Sequence, residues 1–179
     1  MGCLAGPVVA AAVVLGLDDI PRGIDDSKRL TAKQRIQMDK EIRARARGFA
    51  IGIASVEEID TLNILKAAHL AMARAVQALP FFPDILLIDG RFKIESCALP
   101  QRCLIKGDHL SVSIGAASIV AKVYRDAWMT EMDTIFSGYG FSQHKGYGSV
   151  LHRQHLMVKG PCSLHRKSFS WTPVEISVE

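Results

Sequence analysis

The chain has 179 residues, 49% of them hydrophobic and 22% charged. That balance excludes a disordered polymer, and the length is enough for one domain, 1–179, with a sizeable core. Lysine and arginine exceed aspartate and glutamate by 22 − 18 = 4, a modest excess compatible with a polyanionic partner without proving one. The longest apolar run, Pro7–Leu15, is too short to cross a bilayer. The four cysteines (Cys3, Cys97, Cys103, Cys162) show neither a C-x-x-C spacing nor a zinc pattern with histidine. With no export signal legible at the N-terminus, free thiols and a cytoplasmic location are expected.

In chain order, Pro7–Leu15 reads as a strand covered on both faces, because apolar residues follow one another without alternation. A polar loop, Gly23–Leu30, sets two acids against two bases. Thr31 and Gln34 then form a capping box for a helix reaching Ala46, with a basic and solvated face. Gly48–Ala54 reads as a second strand, and Ser55 with Glu58 as a second capping box. From Leu62 the spacing of Leu65, His69, Met72, Val76 and Leu79 predicts one buried helical stripe, with His69 as a core histidine. Pro80 and Pro83 stop it. Asp84–Gly90 reads as a buried strand and Gln101–Ile105 as a short one. A long helix capped by Asp108 or Ser111 carries Asp126. Tyr139–Gly148 is a glycine-rich loop, and a last helix covers Ser149–Val158. Strands and helices in this order describe a mixed α/β domain.

The chemistry concentrates between Pro83 and Asp126. Asp89 ends a strand beside Gly90, which lets other groups approach closely, and Asp126 lies on a helix next to Arg125 and one turn after Lys122. Carboxylate oxygens on two rigid elements suit Mg2+ or Mn2+, although each acid by itself also fits a turn or a surface helix. Tyr147, between two glycines, can stack on a sugar or base while Lys145 meets phosphate. Lys28, Lys106, Arg125 and Arg166 complete the expected phosphate-contacting set.

Taken together, the segments resemble type 2 ribonuclease H, the bacterial ribonuclease HII family. The matching stretches are LAGPVVAAAV (4–13), DDSKRL (25–30), EID-x-x-NIL (58–65), LIDG (87–90), IKGD (105–108), SIGAASIVAKVYRD (113–126), YGF-x-x-HKGYG (139–148) and HRKSF (165–169). The resemblance implies a ribonuclease H-like fold with a mixed central sheet flanked by helices. It implies an endonuclease that cuts RNA in RNA/DNA hybrids and incises 5′ of single ribonucleotides in duplex DNA, acting as a monomer away from membranes. It further implies two Mg2+ or Mn2+ ions held by four carboxylates, of which Asp89 and Asp126 match the third and fourth. Tyr147 matches a tyrosine that packs on the deoxyribose after the ribonucleotide, Lys28 a phosphate-contacting lysine, and Gly2 the last glycine of a loop that senses the ribose 2′-hydroxyl.

The sequence departs from that pattern at its beginning. The family's first strand, with an Asp-Glu pair and Gly-Arg-Gly, precedes the stretch matching Leu4, where this chain reads Met1-Gly2-Cys3. In the resembled fold that strand is central, between the strands at Pro7 and Asp84, so both neighbours are expected to carry unpaired backbone groups. Two readings follow: a start further upstream, favoured by the intact downstream sequence, or a fragment that binds hybrids and cuts little.

Overall fold

The apolar run after Pro7 forms β1 (Val8–Leu15), which pairs antiparallel with β2 (Ala46–Ala54), Val9 opposite Ile53 and Ala11 opposite Ile51. The computed structural model describes residues 2–24 and 29–171, so the Asp25–Lys28 motif lies outside the described residues. Between the two strands runs α1 (Ala32–Arg45). Its first turn is closed by Thr31, whose backbone N–H donates to Gln34 Oε1 at 2.9 Å while its hydroxyl accepts from Gln34 N at 3.3 Å. Local chemistry sets this boundary. Lys33, Lys40 and Arg45 on α1 are exposed, as a solvated face requires.

After β2, a second capping box on Ser55 starts α2 (Val56–Leu62). Asn63, with φ 73°, breaks the chain there and caps α3 (Ile64–Gln77): its Oδ1 accepts from Leu65 N at 3.0 Å and Lys66 N at 3.1 Å. The buried face of α3 is not the stripe that spacing predicts. Ala67, Ala68, Ala71, Ala73, Ala75 and Val76 face inward, whereas Leu65 is 41% exposed and His69 and Met72 are half-buried. The cause is the close approach of α3 to β2 at Gly52, where a Cβ would lie 2.0 Å from Ala71 O and 2.5 Å from Ala75 N. Only small residues fit a contact that tight. Gly52→Ala is therefore expected to destabilise the fold by at least about 3 kcal/mol, seen as a fall in Tm of about 6–12 °C; an unchanged Tm would show that α3 can shift freely off β2.

β3 (Leu86–Asp89) pairs parallel with β4 (Gln101–Leu104), Ile88 opposite Cys103 and Asp89 opposite Leu104. Their short connection buries Ile94 and is held by Gln101, whose amide nitrogen donates to Ile94 O and Cys97 O and whose Oε1 accepts from Ile94 N. Then follow α4 (Gly107–Leu110), the long α5 (Val112–Ile135) capped by Ser111, the one-turn α6 (Phe141–His144) inside the glycine-rich loop, and α7 (Val150–Lys159) capped by Ser149. No helix among the described residues is long and apolar enough to cross a membrane.

The gap expected between β1 and β3 is present. β1–β2 and β3–β4 are separate two-stranded sheets, and a cavity of about 570 Å³ is bordered by β1 from Val9 to Leu15, by Ile85–Asp89, and by residues of α3 and α5. In an antiparallel pair about half of a strand's backbone groups point away from its partner, and those of β1 point away from β2. All eight β1 residues are accordingly half-buried, not covered as a central strand would be. Leu86 and Ile88 of β3 are buried while Leu87 and Asp89 are exposed.

Candidate active site

Asp89 stands at the C-terminal end of β3, exposed, with Oδ1 accepting from Gly107 N at 2.9 Å. Oδ2 accepts nothing from the described residues. Gly107 has no side chain because there is no space for one: a Cβ would meet Ile114 Cδ1 at 2.6 Å and Asp89 Oδ1 at 3.3 Å. Lys106, immediately before it, is exposed and left-handed at φ 56°, so the α4 turn carries a lysine next to the carboxylate.

Asp126 projects from α5. Its Oδ1 accepts from Lys122 Nζ at 2.7 Å, and Arg35 Nη2 lies 3.9 Å from Oδ2. Arg35 could not be singled out from sequence, where it is one of many basic residues on α1; docking α1 on α5 selects it. Lys122 Nζ also stands 5.1 Å from the ring centre of Tyr147, whose side chain is 44% exposed. Asp89, Lys122 and Arg125 border the same cavity. Exposed Gly2 precedes Cys3, which bridges to Tyr147. The two carboxylates, two cations and one presented ring therefore belong to one region.

Carboxylate oxygens of this kind suit a hard divalent cation that keeps part of its water shell. Among the described residues no group of three or more His, Cys, Asp or Glu converges on a point. Asp89 and Asp126 are the two carboxylates of this region whose oxygens suit such an ion.

The arginines have another use. Arg125 is buried and donates through Nε to Pro7 O, through Nη1 to Lys145 O and through Nη2 to Ala5 O, at 3.1, 2.9 and 2.9 Å. Arg166, 2% exposed, donates from Nε to Gly6 O at 3.0 Å and stands 5.0 Å from the Phe169 ring centre. Burial lowers its guanidinium to about 10. Both clamp the backbone of residues 5–7 beneath the surface. Lys145 Nζ donates to Ser142 O and Thr130 Oγ1, which ties its ammonium to the loop. Lys28 lies outside the described residues.

Beneath Tyr147 is a histidine group whose joining could not be read from the separate motifs that hold His144 and His165. His144 and His152 stack with ring centres 4.1 Å apart, and His152 Nε2 lies 3.0 Å from His165 Nε2. His152 Nδ1 meets Tyr147 O at 2.8 Å. Burial pushes all three imidazoles below their ordinary value, His152 to about 4.

The profile of the family described as Ribonuclease HII matches residues 1–172. Ribonuclease HII of Caulobacter vibrioides (strain NA1000 / CB15N) is 47% identical over 177 residues, covering 99% of this chain and 82% of that protein. This chain belongs to the ribonuclease HII family. Ribonuclease HII of Anaeromyxobacter sp. (strain Fw109-5) is 50% identical over 169 residues, 94% of this chain, which spans 53% of that relative's length. The fold is shared with solved structures: the ribonuclease H2 from Pyrococcus horikoshii OT3 superposes with a TM-score of 0.78 at 21% identity, covering 95% of this chain and 90% of that one. Bst-RNase HIII in complex with Mn2+ superposes with a TM-score of 0.66 at 19% identity, covering 89% and 60%. The ribonuclease HII family's segment Tyr139–Gly148 is thus, in this chain, the loop that lies over the histidine group.

Proposed function

We propose that this chain is a divalent-cation-dependent endonuclease that cuts RNA in RNA/DNA hybrids and 5′ of single ribonucleotides in duplex DNA. In a member of the ribonuclease HII family, the observation that carries this reading is the exposed Tyr147 ring beside the Lys122–Asp126 pair, in the region of Asp89. Bound Mg2+ or Mn2+ would activate the attacking water and stabilise the leaving 3′-oxygen; the Mn2+ complex of the structurally similar ribonuclease HIII supports that choice of ions. Asp89, with one oxygen open, takes a ligand position without losing its bond to Gly107. Asp126 exchanges the charge of Lys122 and Arg35 for that of the cation, which leaves both side chains available to phosphate. Tyr147 packs on the sugar at the junction. The four free thiols support a cytoplasmic location, and we expect a monomer.

A second reading has its own support: with no group of three or more candidate ligands among the described residues, the chain binds hybrids without cutting them. Incubation of the purified chain with a uniform hybrid and with a single-ribonucleotide duplex, in Mg2+, Mn2+ or chelator, separates the two. Cation-dependent products ending in 5′-phosphate and 3′-hydroxyl are expected. Salt-sensitive binding with no product in either metal would establish the second reading.

A further inference from the structure

We propose that His152, His165 and His144 form a proton-ordered clamp that positions Tyr147, with His152 as the positioning residue, and that the clamp opens as the histidines take up protons. The Tyr147 loop then loses its backing on mild acidification. The consequence for substrate rests on the reading of Tyr147 as a junction contact; the clamp itself does not.

The backbone N–H donors, of which Cys162 N is nearer to His165 Nδ1 than Cys162 O at 3.3 Å or Sγ at 3.2 Å, set the arrangement of protons in the closed loop. Cys162 N donates to His165 Nδ1 at 2.9 Å, so that nitrogen accepts and the His165 proton is on Nε2. Nε2–H of His165 faces His152 Nε2 at 3.0 Å, which must accept, and the His152 proton is therefore on Nδ1. There it donates to Tyr147 O at 2.8 Å. His144 follows the same logic: Gly146 N donates to Nδ1 at 3.1 Å, and Nε2–H donates to Tyr139 O at 2.8 Å. A relay of single protons thus runs from Cys162 to the carbonyl of Tyr147, and a parallel contact fixes Gly146. Each neutral imidazole has one donor and one acceptor, and all are in use.

An additional proton breaks this arrangement. On His152 it would set N–H against N–H across the 3.0 Å contact with His165. On His165 Nδ1 it would displace the Cys162 N–H and turn to Cys162 O at 3.3 Å, and on His144 it would face the Gly146 N–H. Charging His144 and His152 together would also stack two cations 4.1 Å apart. The surroundings offer little relief. His155, whose Nδ1 lies 2.8 Å from Tyr139 O, adds a like charge when protonated. Buried Tyr139 and Phe141 rings pack at 5.0 and 5.6 Å from His165. Arg166 beside His165 is cationic, and the Cys162 thiol is pushed up by burial and stays neutral. Cys3, buried and bridged to Tyr147, adds no charge as a thiol. Asp133 is the one facing acid among these groups; it favours charge on His144 but is already bound by Phe141 N and Ser142 Oγ.

The sign is fixed by linkage. In the opened loop the histidines titrate near their ordinary value of about 6.5; in the closed loop they titrate lower, His152 at about 4. Between those limits the open form holds more protons, so opening is favoured by up to about tenfold per pH unit for each histidine released. Above about pH 7 the clamp is fully closed.

Long-range proton–nitrogen NMR of the unaltered chain at pH 7.5 tests the proton order directly, with Nδ1–H expected on His152 and Nε2–H on His144 and His165. Amide protection factors for Tyr147 and Ser149 should fall about tenfold or more per pH unit below 6.5, ahead of the core of α5. Affinity for a single-ribonucleotide duplex should fall over the same range, and more than affinity for a uniform hybrid. His165→Gln, which keeps a donor toward His152 but does not titrate, should flatten the protection profile by one proton. The reverse tautomer on His152, or protection that stays constant from pH 7 to 5, would overturn the clamp. Correct tautomers and pH-dependent protection, with no discrimination between the two duplexes at any pH, would uphold the clamp and sink the junction role of Tyr147.

Discussion

Asp89→Asn is expected to lower cleavage of both hybrid and single-ribonucleotide substrates by more than about a hundredfold, since even indirect partners of a metal ligand cost about 10- to 100-fold when removed. The replacement is nearly isosteric. The Asn carbonyl oxygen can still accept from Gly107 N, which at 2.9 Å holds the present carboxylate. That bond turns the new amide NH2 outward, so that two donors point where a cation needs an oxygen. Structure is preserved while a negative charge and one metal-facing lone-pair donor are lost. Hybrid binding measured without divalent cation should therefore be unchanged, and Tm should move little. Cleavage persisting near the level of the unaltered chain would remove Asp89 from the site.

Tyr147→Ala is expected to weaken action on a single-ribonucleotide duplex by about 5- to 150-fold, the equivalent of about 1–3 kcal/mol for a lost stacking surface. The ring is 44% exposed and contributes little to the core. Its backbone is held independently, by N–H donation to His144 O and by acceptance from Ser149 N and His152 Nδ1. The loop should thus survive loss of the side chain, and kcat/KM on uniform hybrids should fall much less. Tyr147→Phe, which keeps the stacking face, should restore most of the junction activity. Equal losses on the two substrates would show a general contact without junction selectivity.

The helix starts at Thr31 and Ser55 were legible in the sequence because each cap is a contact between residues three apart. The end of β3 at Asp89 was legible for a similar reason, an apolar run closed by Asp-Gly. The buried face of α3 was misread: its large residues have the right period, but the depth of contact at Gly52 admits only alanines. A spacing rule carries no information about how close the neighbouring strand comes. The backbone contacts of Arg125 and Arg166 were hidden for the same kind of reason. The carbonyls of residues 5–7 lie 118 to 160 residues away in the chain and meet these side chains only in the fold.

What the sequence determined by itself was the family, the place of Asp89 at a strand end and of Asp126 on a helix, and the order of elements, all of which depend on residue types and short spacings. The tertiary structure decided how those parts meet. It placed Arg35 on Asp126 and Lys122 between Asp126 and the Tyr147 ring. It stacked His144 on His152 and joined His152 to His165, a pair 13 residues apart. It also left a cavity between β1 and β3, the two strands whose facing edges were expected to be unpaired. Charge pairing, proton order and strand edges depend on distances across the core, and those exist only once the chain has packed.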